Sequence, residues 1–371
     1  MRRSTFLVAF AAVVLVADGT RAEDPPQGGP APAAVWSTAD VFGHIAASAD
    51  GSWLAARTRA GITLYPVAGG DPVLLDLGKD EKDGIHLEYQ FTADSKWLVV
   101  PGTRDYASTA GKKADLTQSV LVFPVATPSK RKSFQLQLKE EKLDKRIRRM
   151  APELSNFKTL EGAVSGLLPL TGSRMVFDRG SAGAEVWDIA TGAKSTAPES
   201  LDGPYSCGLS ADGARSVLAG IRELEVRDVK LNRALKTVAC PDYDVKNAHA
   251  HHPAFTPDGA GVVVLRGTRA GGASSTDEVA VDCWSIDDAK LRWTYPIGKE
   301  RVEKLWTAGG YAIAKRPGAL DVIDLRDGKP VVHELSGRSV EASGPAADGK
   351  SVWVCDGKSL RRMELPPLPV K

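Results

Sequence analysis

Short apolar runs recur along the chain, and a similar turn precedes most of them. "SADGSWLAA" at 48–56 returns as "TADSKWLVV" at 92–100, "SADGARSVL" at 210–218, "TPDGAGVVV" at 256–264 and "AADGKSVWV" at 346–354. "LTGSRMVF" around Thr171 and "TAGGYAIA" around Gly309 keep the turn and the run but lose the aspartate. Aligned on Asp50, Asp94, Thr171, Asp212, Asp258, Gly309 and Asp348, the units lie 39–51 residues apart, with one gap of 77. A second signature follows each turn: "ITLYPVAGG", "VLVFPVATP", "AEVWDIATG", "LEVRDVKLN", "VDCWSIDDA", "LDVIDLRDG" and, more weakly, "SLRRMELPP". Each reads as a short strand ending in a turn, usually with a further strand behind it. One unit is therefore strand, turn, strand, loop, strand, turn, strand: a four-stranded antiparallel meander.

A lone meander cannot cover both of its apolar faces. About seven stacked around an axis can, each burying its face on the next. The pattern thus predicts an all-β chain, a seven-bladed β-propeller of four-stranded antiparallel blades over residues 35–371. Asp50, Asp94, Asp212, Asp258 and Asp348 are its structural turn residues, because Asp bonds its own backbone while a following Gly accepts positive φ. Trp53, Trp97 and Trp353 share one face of the second strand, which suits packing between blades. The last blade has three strands before "PPLPVK", whose prolines lack ladder donors. The segment at 34–41 is expected to supply the fourth, with 35–41 completing the blade. In the 77-residue gap, Leu143, Ile147, Met150 and Leu154 fall on a helical stripe,. Glu141–Lys145 and Asp144–Arg148 are acid-first i,i+4 pairs, and Pro152 kinks or ends the run. These predict a helical insertion at 136–157, between blades 2 and 3.

The Ser/Thr-Ala/Pro-Asp-Gly turn, followed later by "VWDIATG" or "VIDLRDG", resembles the WD40 and WD40-like propeller families in a secreted bacterial style. The resemblance covers roughly residues 35 to 366, with "WD" itself at Trp187–Asp188. "WSIDDAKLRWTYPIG" is similar to the repeats of quinoprotein propellers. The resemblance implies the architecture and leaves activity open, since propellers host many functions.

Composition changes this picture at the N-terminus. Arg2 and Arg3 precede "FLVAFAAVVLVA", which gives way to "DGTRA": a secretory signal peptide over 1–22, with retention as an anchor the rival reading. Residues 23–34 form a Pro/Gly/Ala-rich linker. The apolar run is too short to span a bilayer, and no membrane span is expected after cleavage. The location implied is periplasmic or extracellular. Without residues 1–22 the basic and acidic residues are equal in number, which argues against a nucleic-acid partner. Four cysteines are too few for a disulfide scaffold, and none lies in a CxxC,. Cys283 and Cys355 read as buried thiols, while a Cys207–Cys240 bridge stays open.

Candidate chemistry gathers in three places. Two long loops follow second strands, "GTRDYASTAGKKADLTQS" and "GTRAGGASSTDE", and long loops on a rigid scaffold carry function,. With the insertion they offer Arg104, Tyr106, Lys145, Arg148, Arg149 and Arg269 as partner-binding residues on one face, although a solvated rim helix and flexible loops fit the same residues. "CPDYDVKNAHAHHPAF" holds His249 and His251 two apart, and Asp242 or Asp244 would complete a divalent zinc or copper site with them. The plain alternative is a polar loop over the axis. No GxSxG, HExxH, Walker loop or strand-to-helix GxGxxG is present, and no cofactor beyond that metal is expected,. The chain therefore reads as an exported, monomeric, non-catalytic module for a protein or peptide. A metal- or quinone-dependent enzyme or small-ligand binder, using the funnel near His249 and His251, is the alternative.

Overall fold

The computed structural model describes residues 34–37, 41, 43–78, 89–102, 117–137, 139–142, 158–161, 164, 166–179, 184–195, 206–210, 214–219, 223–229, 233–240, 249–267, 279–332 and 340–367. Every regular element among them is a strand. The expected signal peptide and all of the linker but its last residue lie outside them.

Six sets of four consecutive strands form antiparallel meanders. Sheet I comprises Gly43–Ala47, Trp53–Thr58, Gly61–Pro66 and Val73–Leu74; sheet II comprises Gln90–Phe91, Trp97–Pro101, Thr117–Pro124 and Lys132–Gln137. Sheet III holds Gly166–Pro169, Arg174–Asp178, Ala184–Asp188 and Ala193–Ser195; sheet IV holds Ser206–Leu209, Arg215–Ala219, Glu223–Asp228 and Arg233–Ala239. Sheet V runs through His249–Phe255, Gly261–Gly267, Val279–Ser285 and Leu291–Gly298; sheet VI through Lys304–Ala308, Tyr311–Arg316, Ala319–Asp324 and Pro330–Val332. Sheet VII is built from both ends of the described chain. Ala342–Pro345, Ser351–Cys355 and Ser359–Glu364 take Ala34–Ser37 as their fourth, antiparallel strand. Its first strand also pairs in parallel with that of sheet I, Gly43 opposite Ala342 and His44 opposite Ser343.

The second strands are apolar through their middles because both of their faces are covered,. In Trp53–Thr58, Ala55 packs with residues of sheet II while Leu54 and Ala56 pack with residues of sheet VII. In Ser351–Cys355, Val352 and Val354 face sheet VI while Trp353 and Cys355 face sheet I. The core is accordingly divided. Seven apolar clusters among the described residues each join two sheets: I–II, II–III, III–IV, IV–V, V–VI, VI–VII and VII–I. Trp53 belongs to the first, Trp97 to the second and Trp353 to the last.

In sheets I, II and V the turn after the first strand is a hydrogen-bonded unit with three parts. The Ser48, Thr92 and Thr256 hydroxyls donate to the carboxylates of Asp50, Asp94 and Asp258 at 2.5–2.6 Å. The same oxygens accept the N–H of Trp53, Trp97 and Gly261 at 2.8–3.2 Å. The carboxylate also caps a backbone N–H two residues on, as Asp258 does for Ala260 at 3.0 Å. Ala346 has no hydroxyl, and Ser351 donates to Asp348 in its place at 3.0 Å. Asp212 lies outside the described residues. Where three of these turns place Gly in the left-handed region, sheet II has Ser95 at φ 61°, and its hydroxyl accepts the Asp50 N–H at 3.0 Å. Neighbouring turns are thereby tied together, as they are again by Asp94 N–H to the Gly172 carbonyl at 3.2 Å and Arg215 to the Gly259 carbonyl at 3.0 Å.

The turn acids have a pH signature. The Thr256 hydroxyl, then the Ala260 N–H, hold Asp258 below its ordinary value. Asp50 and Asp348 are lowered too, their hydrogen bonds outweighing the opposing push of burial. A depressed folded value means a contribution complete above the unfolded pKa of about 3.9 and lost as pH falls through the folded one. Far-ultraviolet dichroism should show stability declining below about pH 4, less steeply in Asp258→Asn. An unchanged slope in that variant would remove Asp258 from the account.

One expectation needs correction. The helix predicted from residue 136 does not begin there: residues 136–137 end a strand of sheet II, and Lys139–Lys142 pairs antiparallel with Lys158–Glu161. The local period is two, with Leu136 buried between exposed Gln135 and Gln137. The stripe Leu143, Ile147, Met150 and Leu154 lies outside the described residues. Cys240 is a free, buried thiol, so the Cys207–Cys240 bridge is not formed.

Candidate functional site

Antiparallel meanders send their first-to-second and third-to-fourth connections to one edge. Second-to-third connections, and the chain entering the next sheet, leave from the other. The first edge carries the short bonded turns described above. The second is flanked by the strand ends around residues 103–116, 138–165 and 268–278.

Among the described residues, that second edge carries buried ion pairs in three sheets. In sheet III, Glu185 lies against Arg179 and accepts from Lys194 at 2.9 Å. In sheet V, Asp282, 1% exposed, holds Arg266 at 2.8 Å. In sheet VI, Asp321, also 1% exposed, holds Arg316 at 2.8 Å, with Glu300 on the far side of the same guanidinium. The Asp321 hydrogen bond leads the causes that raise Arg316 above its ordinary value. Beside it, Lys315 pairs with Glu303. Buried acids thus fix three arginines near the roots of the second-to-third connections.

At the first strands of sheets I and VI, the chain brings together residues far apart in sequence. Lys304 begins the first strand of sheet VI, and its Nζ stands 3.3 Å from both ring nitrogens of His44 in sheet I. Sheet VII joins these two sheets through its own apolar clusters. The His44 ring packs on Tyr89 with centroids 5.4 Å apart, and the Tyr89 hydroxyl donates to the His44 carbonyl. That hydroxyl also accepts the Arg57 N–H at 3.0 Å. Burial, then the Lys304 charge, pushes the His44 imidazole well below its ordinary value, against a backbone hydrogen bond at Ser343. His44 is therefore neutral at pH 7, and one ring nitrogen accepts from the ammonium. The adjacent Ser343 hydroxyl is buried without a hydrogen-bond partner.

On the opposite edge, the turns of sheets I and VII enclose a cleft of about 240 Å³ lined by Asp50, Val67, Asp348, Trp353 and Arg362 among others. Its charges are spoken for: Arg362 meets Asp348 and Glu364, and Asp50 serves its own turn.

The residues expected from sequence fare differently. Arg104, Tyr106, Lys145, Arg148, Arg149, Arg269 and Asp244 lie outside the described residues. His249 and His251 fall in the first strand of sheet V, opposite Gly267 and Leu265, with a register shift between His251 and Ala254 and φ 48° at His252. Among the described residues, no three His, Cys, Asp or Glu side chains converge as a metal site. No helix there is long and apolar enough to cross a membrane. Sequence reasoning missed His44 and Lys304, neither of which sits in a repeated position, and it missed the buried acid–arginine pairs although Glu185, Asp282 and Asp321 hold the same second place in "AEVWD", "VDCWS" and "LDVID". No family model matches the chain, and no curated protein matches it.

Proposed function

We propose that the seven sheets close into a WD40-like, seven-bladed β-propeller that serves as an exported, non-catalytic interaction module. Its partner is a protein or peptide laid on the edge carrying the long connections. Closure is supported by the seven clusters, the last of which joins sheet VII to sheet I, and by the strand Ala34–Ser37 shared from the far end of the chain. The observation that carries the functional reading is the contrast between edges. One is tied by short, self-bonded turns; the other carries the long connections and arginines held by buried acids. Surface variation on a rigid frame is the usual construction of a binding face.

The test is affinity capture from an envelope fraction with immobilised protein. Lys145→Glu/Arg148→Glu/Arg149→Glu and Arg104→Ala/Tyr106→Ala should each lower recovery of the same partner at least about tenfold, a loss of ~1.4 kcal/mol, without changing thermal stability. Undiminished capture would overturn the assignment of the face. Stoichiometric zinc or copper in purified protein, lost in a His249→Ala/His251→Ala double variant, would replace it with the metal-dependent alternative.

A further inference from the structure

Gln118 lies on the third strand of sheet II, one residue in from the end that borders the second edge. By the alternation of the strand it shares a face with Val120 and Val122, which pack with residues of sheet III, and it is 3% exposed,. Both ends of its carboxamide are used. Nε2 donates to the Gly102 carbonyl at 2.9 Å, and Oε1 accepts the Val164 N–H at 2.8 Å. A carbonyl can only accept and an N–H can only donate, so the two partners fix which way the amide faces.

Those partners stand at the roots of different connections. Gly102 follows the second strand of sheet II and opens the stretch 103–116; its own N–H donates to the Ser119 carbonyl at 2.6 Å. Val164 closes the stretch that begins at residue 138, and it packs in the apolar cluster of sheets II and III. The other end of that stretch is tied as well, by Arg179 donating to the Gln137 carbonyl. One neutral side chain therefore joins the two roots. No charged residue could serve both: a carboxylate lacks the donor that Gly102 needs, and an ammonium lacks the acceptor that Val164 needs. Losing the amide would leave a buried carbonyl and a buried N–H unbonded,.

We propose that Gln118 is the positioning residue of the long-connection edge: its buried carboxamide pins the roots of 103–116 and 138–163 in one fixed relation, so that both meet a partner as a single surface. The pin stands on the two hydrogen bonds alone; its use in presentation rests on the partner lying on this edge.

Amide hydrogen exchange, read residue by residue, tests the pin. Gln118→Met keeps the length and the apolar stem but removes both bonds. Protection at Gly102 and Val164 should fall at least about tenfold, with Val122 and Val176 level. Gln118→Glu keeps the acceptor, so Val164 should stay protected. Its ionised form cannot donate and should free Gly102, whereas its protonated form donates again. Protection at Gly102 should therefore return as pH falls from about 8 to about 4, which lost packing alone would not produce. Level exchange at both residues in Gln118→Met, or low protection at Gly102 in Gln118→Glu that acid does not restore, would overturn the pin.

Capture from the envelope fraction tests the presentation. Gln118→Met should lower recovery at least about threefold from a buried position, and the Arg104/Tyr106 and Lys145/Arg148/Arg149 variants, non-additive in the parent, should become additive in its background,. Full capture by Gln118→Met, with exchange lowered, would overturn the single surface. Failure of the Arg104/Tyr106 and Lys145/Arg148/Arg149 variants to lower capture would overturn the partner face and the presentation with it, while exchange still decides the pin.

Discussion

Gly344→Ala is expected to cost about 3 kcal/mol or more of folding stability, read as a lower urea midpoint at unchanged slope. A Cβ built on Gly344 would stand 1.8 Å from the Ile45 carbonyl oxygen and 2.8 Å from its carbon. Both are backbone atoms of the strand beside it, so no rotamer change relieves the contact. The first strands of sheets VII and I must part instead, and the cluster containing Ile45, Ala342 and Trp353 opens with them. Gly208 stands in the same relation to sheet V, 2.1 Å from the Pro253 oxygen. Gly349→Ala is the control: its φ is +63° and nothing lies within 4 Å of the added carbon, leaving only left-handed strain of about 1 kcal/mol,. If Gly344→Ala costs no more than Gly349→Ala, close approach of the inner strands is not what selects glycine there.

Starting the chain at residue 39 should lower the thermal midpoint by roughly 5–10 °C. The cut removes the strand opposite Ser359, Leu360 and Arg361, and with it the Trp36 indole. That ring lies 5.1 Å from Tyr65 of sheet I and 6.3 Å from Trp353 of sheet VII, so it bears on both sides of one joint. Trp36→Ala in the uncut chain separates ring burial from strand pairing and should give roughly half of the shift. A midpoint within about 1 °C of the parent after truncation would mean that sheet VII needs no fourth strand.

The all-β architecture and its four-stranded sheets were legible because a repeated turn has to meet the same geometric demand each time. Aspartate and glycine announce it, and Ser48, Thr92 and Thr256, two residues earlier, complete it. The helix misreading at residues 136–142 has an electrostatic origin. "KEEKLDKRIRR" sets acids four before bases, as a helix favours, but its first four residues, Lys139–Lys142, pair with Lys158–Glu161, and that pairing decides for the strand there,. Propensity is local; that partner is not. The His44–Lys304 pair was invisible for a stronger reason. His44 and Lys304 are 260 residues apart, neither belongs to a motif, and only the stacking order of the sheets brings them together.

Dividing the apolar interior between neighbouring sheets places three free thiols of the described residues in three different joints. Cys240 lies in that of sheets IV and V, Cys283 in that of V and VI, and Cys355 in that of VII and I. Burial raises all three, Cys240 and Cys283 to about 12, so each is unreactive while its joint stays shut,. The rate at which an alkylating reagent marks each sulfur is then a clock for the breathing of that one seam, and the molecule carries its own gauges for telling which seam parts first.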